Sequence, residues 1–182
     1  MSMSIQIYIL SKLIENNTYP YQLKKELSEP IPLAEMTSLT ESKLYYHFES
    51  LTKQGLVVPV EVVKEDNRPD KQVFGITELG RKVLPEKIYG LFEKANTITD
   101  MIVGIAFIQH VDRQKVIQIL EYKLSVAERH MKNIDLYRTH LEDYRIKKLQ
   151  FLQFLDRYHE EKRLHELESL RLLIEQLRND VF

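Results

Sequence analysis

The strongest constraint on the fold is the uneven distribution of the two residues that break helices. All six prolines lie at or before Pro85, the last of the five glycines is Gly104, and residues 105–182 contain neither. Without such breakers the second half is predicted to form long helices, whereas the first half is divided into short elements. We therefore predict two domains, residues 1–84 and residues 85–182.

Composition narrows the class of protein. The 182 residues are 43% hydrophobic and 29% charged, which is typical of a globular chain with a buried core. The longest apolar run, residues 101–108, is shorter than the roughly 20 residues of a membrane span, and the N-terminus lacks the pattern of a secretion signal. The absence of cysteine excludes disulfides and thiolate metal sites, and it favours a cytoplasmic setting.

The first half reads as three helices, a hairpin and a further helix. Apolar residues at helical spacing predict the first helix over residues 5–15, and Pro20 suits the first turn of the second. A third amphipathic helix follows within residues 42–57 and ends at Gly55. Two stretches rich in β-branched residues then predict a β-hairpin with a long polar loop, before Thr77 caps another helix. This order predicts a winged helix-turn-helix.

The second half carries a heptad pattern. Its apolar residues alternate in steps of three and four, which is typical of a coiled-coil seam, and Asp112 is a plausible N-cap for the helix that bears them. The predicted seam consists of Ile117, Leu120, Leu124, Ala127, Met131, Ile134 and Leu141, continued in a later helix by Leu170, Ile174 and Leu177. These stripes either pack against each other within one chain or also pair with a second chain. We prefer the second interpretation, which predicts an α-helical dimerisation domain and a homodimer.

The third helix presents two different faces. Leu44, Phe48 and Leu51 share one side and are predicted to point into the core, whereas the opposite side holds Lys43, Tyr46, His47 and Ser50. That opposite side is polar, aromatic and free of carboxylates, as a helix in the major groove requires, although Glu41 and Glu49 lie nearby. Tyr45 lies at the boundary, where a phenol packs its ring inward and donates its hydroxyl outward. The alternative is an ordinary solvated helix face.

Further cations surround this helix in the sequence. The hairpin loop is predicted to place Lys64, Arg68 and Lys71 near a DNA backbone, and Lys24 on the second helix adds another positive charge. The formal net charge is −1, so any DNA-binding function depends on local placement of charge and not on the total. The predicted DNA-binding residues are Tyr21, Lys24, Ser42, Lys43, Tyr45, Tyr46, His47, Lys53, Lys64, Arg68 and Lys71.

Four motifs in order resemble the PadR-type transcriptional regulators. They are "YPYQL" (19–23), "SKLYYHFESL" (42–51), "RPDK" (68–71) and "ITELGR" (76–81). The resemblance implies a dimeric winged-helix repressor of a palindromic operator, with Tyr21 and Tyr45 contacting DNA and the helical half forming the dimer. Here Pro20 stands where the family usually has glycine, and Tyr46 and His47 replace Pro-Ala, which makes the reading face bulkier.

The resemblance also raises the question of an effector. Some members of the family bind planar aromatic ligands, in certain cases between tryptophans, and this chain has no tryptophan. Tyr89, Phe92 and Phe107 could instead line a pocket, although aromatic residues at helical spacing usually belong to a core. No arrangement of residues suggests catalysis, a metal site or a cofactor. The alternative function is a helical protein–protein interaction module that does not bind DNA.

Overall fold

The structure is a computed structural model that describes residues 2–27, 41–63, 71–141 and 150–181. The chain forms two compact units, residues 1–112 and residues 113–182. The predicted boundary after residue 84 falls inside a continuous helix, because Pro85 lies within that helix without ending it. The structural division therefore comes later in the chain than the change in composition suggests.

The first unit has the predicted winged-helix order and contains one helix more than expected. Its helices and strands are α1 (Ser2–Glu15), α2 (Pro20–Leu27), α3 (Glu41–Lys53), β1 (Val57–Val63), β2 (Lys71–Ile76), α4 (Glu78–Lys94) and α5 (Ile98–Ala106), with a 3₁₀ turn at Ile108–His110. The predicted fold class, mainly helical with a small β-hairpin wing, is confirmed. The helix α5 arises from the apolar run that was noted only for its length, and Thr97 and Asp100 form a capping box at its start.

Helix α1 lies at the centre of this unit. Ile7, Ile9 and Leu10 are fully buried, and α1 packs against α3, α4 and α5. The hydroxyl of Tyr8 donates a hydrogen bond to the carbonyl of Leu23, 3.2 Å away, which ties α1 to α2. Burial, with smaller contributions from Glu26 and Glu15, raises the pKa of Tyr8, so its phenol stays protonated.

The wing is an antiparallel pair of strands with one further bridge. Strand β2 pairs with β1, and on its other side Phe74 exchanges two backbone hydrogen bonds with Thr18 at 2.8 and 3.1 Å. The ring of Phe74 also packs on Phe48 of α3, with ring centroids 4.8 Å apart. Aromatic packing therefore fixes the wing to the third helix.

The second unit is an antiparallel pair of helices, α6 (Arg113–Leu141) and α7 (Gln150–Arg178). Asp112 immediately precedes α6, and its capping role stays a prediction. In the described part of the chain, the ion pairs Arg171–Glu128, at 2.6 Å, and Arg178–Glu121 join the two helices, and Arg113 at the start of α6 pairs with Asp180 just after α7. None of the helices in the described part of the chain combines the length and apolar character needed to cross a bilayer.

The predicted seam divides into two groups. Ile117, Leu120, Ile174 and Leu177 are at most 4% exposed within the single chain. The prediction that these four form a surface for a second chain is therefore corrected, because apolar stripes on two antiparallel helices already bury each other. Leu124, Ala127, Met131 and Leu170 are half-buried, and the side chains of Ile134 and Leu141 lie outside the described residues.

Candidate nucleic-acid interface

Helix α3 is fixed in the first unit by its apolar stripe and by the way it ends. Leu44, Phe48 and Leu51 are at most 1% exposed, as predicted. The turn that follows the helix contains Gly55, which has a φ of +70°, and the N–H of Leu56 donates to the carbonyl of Leu51 at 2.9 Å. This is a Schellman motif, in which glycine adopts the left-handed conformation without a steric penalty.

Thr77 connects the end of α3 to the start of α4. Its hydroxyl donates to the carbonyl of Gly55 at 2.7 Å and accepts the N–H of Gly80 at 3.0 Å. The prediction that Thr77 caps the helix is confirmed. The same residue therefore joins the candidate reading helix to the helix that follows the wing.

The exposed face of α3 contains the predicted tyrosines and cations and also the carboxylate of Glu49. Tyr46 is 66% exposed and Tyr45 is 47% exposed, so the ring of Tyr45 is not packed inward as predicted. Ser42, Glu49 and Lys53 are exposed as well, and they follow the tyrosines at helical spacing. The predicted absence of carboxylates from this face is therefore wrong, because Glu49 lies three residues after Tyr46.

His47 does not share this exposed face. It is 5% exposed, and it completes the buried stripe with Leu44, Phe48 and Leu51. The prediction of an outward imidazole is wrong because position 47 lies four residues after Lys43 and also three after Leu44, so the spacing fits both faces. Burial and the charge of Lys43 lower the pKa of His47, which favours the neutral ring that a core tolerates.

The wing and α2 contribute the remaining candidates. Tyr21 is 54% exposed on α2, and Lys24 is exposed three residues further along the same helix. At the start of β2, the ammonium of Lys71 lies 5.2 Å from the centroid of the Tyr19 ring. Sequence reasoning missed Tyr19, although it opens the motif that contains Tyr21. Lys64 and Arg68 lie outside the described residues.

The three aromatic residues predicted to line a pocket are part of the core. Tyr89, Phe92 and Phe107 are 7%, 0% and 6% exposed, respectively. The hydroxyl of Tyr89 accepts the N–H of Asp112 at 2.8 Å, and Phe107 packs against Tyr8 with centroids 5.9 Å apart. The three rings are therefore core residues, which is the alternative that the sequence left open for them. Within the described part of the chain, no three side chains are arranged to hold a metal ion.

The buried His47 and the half-buried His110 give the first unit a predicted pH dependence. Burial lowers the pKa of His47 and of His110, so the unfolded chain binds protons more readily than the folded chain. Stability is therefore retained above the ordinary histidine pKa of about 6.5 and is lost as the pH falls below it. We expect the unfolding temperature to decrease between pH 7.5 and pH 5.5, and to decrease less in a variant carrying His47→Gln and His110→Gln. Replacing the exposed His130 in the same way is the control, and an equal decrease in all three proteins would contradict the prediction.

Comparison with known proteins finds a family model that matches part of this chain. Residues 9–86 match the Transcriptional regulator PadR-like family. A PadR family transcription regulator from Clostridium difficile R20291 is 21% identical, over 46% of this chain and 81% of that one, with a TM-score of 0.38.

Two structures of PadR from Bacillus subtilis align over most of both chains. The complex with operator DNA is 15% identical over 94% of this chain and 96% of that one, with a TM-score of 0.43. The complex with p-coumaric acid is 17% identical over 97% and 95%, with a TM-score of 0.41. A search of curated proteins finds no match. Residues 9–86 identify the winged-helix segment of this chain as PadR-like, which confirms the resemblance inferred from the four motifs.

Proposed function

We propose that this protein is a sequence-specific, DNA-binding transcriptional regulator that acts as a dimeric repressor of a palindromic operator. The observation that carries the proposal is the exposed face of α3, where Tyr45 and Tyr46 stand beside Lys43. This helix is supported from behind by fully buried side chains, so its exposed side chains are held on a rigid element. Helices of this kind enter the major groove and contact base edges.

The exposed side chains fall into two classes in this proposal. Lys43, Tyr46 and Glu49 face base edges, where a carboxylate accepts a hydrogen bond from the N4 amino group of cytosine. The phosphate contacts come from Tyr21, Tyr45, Lys24, Lys53 and Lys71. Phosphate contacts set the position of the protein on the duplex, whereas contacts with base edges carry the sequence information.

The first test compares the affinity for the operator with that for random DNA. Lys43→Ala and Tyr46→Ala should each reduce the preference for the operator by about 1–3 kcal/mol, because each removes a groove contact. A mobility-shift assay on the chain's own promoter region measures both affinities. Lys94→Ala, which removes an exposed lysine near the end of α4, is the matched control and should leave the preference unchanged.

The salt dependence of binding distinguishes the residues that contact phosphates from those that contact base edges. Lys71→Ala should weaken binding to all duplexes and reduce the slope of log affinity against log salt by about 0.9, since one phosphate is no longer neutralised. If the Lys43 and Tyr46 variants bind operator and random DNA like the wild type, α3 is not the reading helix. The chain would then fit the alternative function, a helical interaction module that does not bind DNA.

The dimer is proposed to form through α6 and α7. These helices bury one stripe of each against the other, yet Tyr122, Phe154, Tyr158 and Leu172 remain 51–71% exposed. Phe154, Tyr158 and Leu172 lie on one face of α7 at helical spacing. Exposed apolar side chains grouped in this way mark protein interfaces. A dimer would set two reading helices one turn of DNA apart, about 34–36 Å.

Sedimentation of the full chain tests the dimer. A variant with Phe154→Glu and Leu172→Glu should sediment at the mass of one chain, whereas the wild type sediments at twice that mass, because two carboxylates cannot be buried unpaired at an apolar interface. The same variant should lose most of its operator affinity. Gln118→Glu adds a carboxylate at an exposed position of α6 and should remain dimeric. A dimeric double variant would place the interface elsewhere.

Release by a small aromatic effector completes the proposal. The resemblance to the family supports this part of the proposal. The structure adds no support for it, because Tyr89, Phe92 and Phe107 are buried in the core. An effector weakens DNA binding only to the extent that it binds the two conformations with different affinities. Adding planar aromatic acids to the same mobility-shift assay measures the release directly, and a screen without release would assign regulation to another class of ligand or to protein abundance.

A further inference from the structure

The buried and exposed sides of α3 are joined by one ring contact. His47 is 5% exposed and Tyr46 is 66% exposed, although the two residues are adjacent. Their ring centroids lie 5.2 Å apart with an angle of 76° between the planes, which is an edge-to-face arrangement. The contact therefore connects the most exposed aromatic side chain of α3 to the core of the first unit.

The two rings differ in their freedom to move. An exposed tyrosine has several staggered rotamers available, and an edge-to-face contact favours the one that makes it. The imidazole has no comparable freedom, because it is packed in the stripe with Leu44, Phe48 and Leu51. Within the described residues its buried Nδ1 atom has no hydrogen-bond partner.

We propose that His47 is a positioning residue for Tyr46: packed in the core, it holds the phenol in the orientation that meets base edges in the groove. His47 thus sets how well the chain distinguishes its operator from other DNA, without contacting the DNA itself. This inference rests on the proposed function of α3. It explains how a buried polar residue on the reading helix contributes to recognition.

The experiment measures a specificity ratio, defined as the affinity for the operator divided by the affinity for a random duplex of equal length. The operator is the sequence that the full-length wild type selects from a pool of randomised duplexes. His47→Leu keeps a buried apolar side chain and removes the ring, whereas His47→Phe keeps an aromatic ring. We expect the ratio to decrease about tenfold with leucine and to stay within about twofold of the wild type with phenylalanine.

A double-mutant cycle tests whether the effect passes through Tyr46. In a Tyr46→Ala background, His47→Leu should leave the ratio unchanged, because the ring it positions is gone. A purely structural role would instead lower the ratio equally in both backgrounds, and that result would overturn the proposal. His47→Gln, a second variant without an aromatic ring, must reproduce the loss. Thermal unfolding of each variant identifies those that are folded.

The outcomes separate this inference from the function on which it rests. If the wild type selects no sequence from the pool, the proposed function fails and the positioning role fails with it. If the wild type is selective but Tyr46→Ala leaves its ratio unchanged, the proposed function stands and the positioning role is overturned. Equal losses for His47→Leu and His47→Phe would also overturn it.

Discussion

Replacing Gly80 with alanine should destabilise the first unit by about 3 kcal/mol or more, because the new methyl group has no space. A Cβ atom at Gly80 would lie 2.2 Å from the carbonyl oxygen of Leu56 and 2.7 Å from a side-chain carbon of Ile76. A backbone carbonyl cannot rotate away as a flexible side chain can. The substitution would therefore separate α4 from the end of α3, where Thr77 now joins them.

Gly90 provides the matched control on the same helix. A Cβ atom there would meet only atoms of the Met3 side chain, at 3.9 and 4.0 Å, which is ordinary contact. Gly90→Ala should stabilise the protein by about 0.5–1 kcal/mol, since alanine is the better helix former. Chemical denaturation of both variants measures the difference. Equal stabilities would show that α4 does not approach Leu56 as closely as the structure indicates.

The second large effect is expected at Phe48. Its side chain is 1% exposed and packs on Phe74 of the wing, so Phe48→Ala leaves a cavity between α3 and β2. Substitutions of this type cost about 3–5 kcal/mol, and the loss should appear as a lower unfolding temperature. DNA binding should weaken with it, because the reading helix and the wing lose their common support.

Tyr46→Ala is the comparison for Phe48→Ala. Tyr46 lies only two residues earlier on α3 but is 66% exposed, so its loss should change stability by no more than about 0.5 kcal/mol. Phe48→Ala is expected to lower stability, because it removes support for the fold. Tyr46→Ala is expected to lower the preference for the operator with little change in stability, because it removes a contact with DNA. If Tyr46→Ala destabilised the protein as much as Phe48→Ala, the assignment of Tyr46 to the exposed face would be wrong.

Local patterns were sufficient for most of the architecture. The spacing of Leu44, Phe48 and Leu51 predicted both α3 and its buried side, and Gly55 marked the end of the helix. The β-branched run predicted the wing, and Thr77 predicted the start of α4. These features follow from hydrogen bonding and periodicity within a few residues, which the sequence contains in full.

The sequence could not decide which side chains at ambiguous positions are buried. His47 fits both faces of α3 by spacing, and only the packing of α1, α2 and β1 around that helix places its ring inside. The same holds for Tyr89, Phe92 and Phe107, because aromatic rings at helical spacing suit a ligand pocket as well as a core. In the structure these three rings are packed against the protein itself.

Gly80 and the heptad stripe show the same difference between what local sequence predicts and what tertiary packing decides. A glycine in a helix is only a weak signal in sequence. Glycine is required at position 80 because the backbone of Leu56, which is distant in the chain, lies where a Cβ atom would stand. The stripe from Ile117 predicted helices that bury an apolar seam, but the antiparallel pairing of α6 with α7 decided that the seam begins inside one chain. The sequence by itself thus determined the elements and their amphipathic character, because those depend on neighbouring residues. Tertiary structure alone decided which face each ambiguous residue takes, because that depends on contacts between segments distant in the chain.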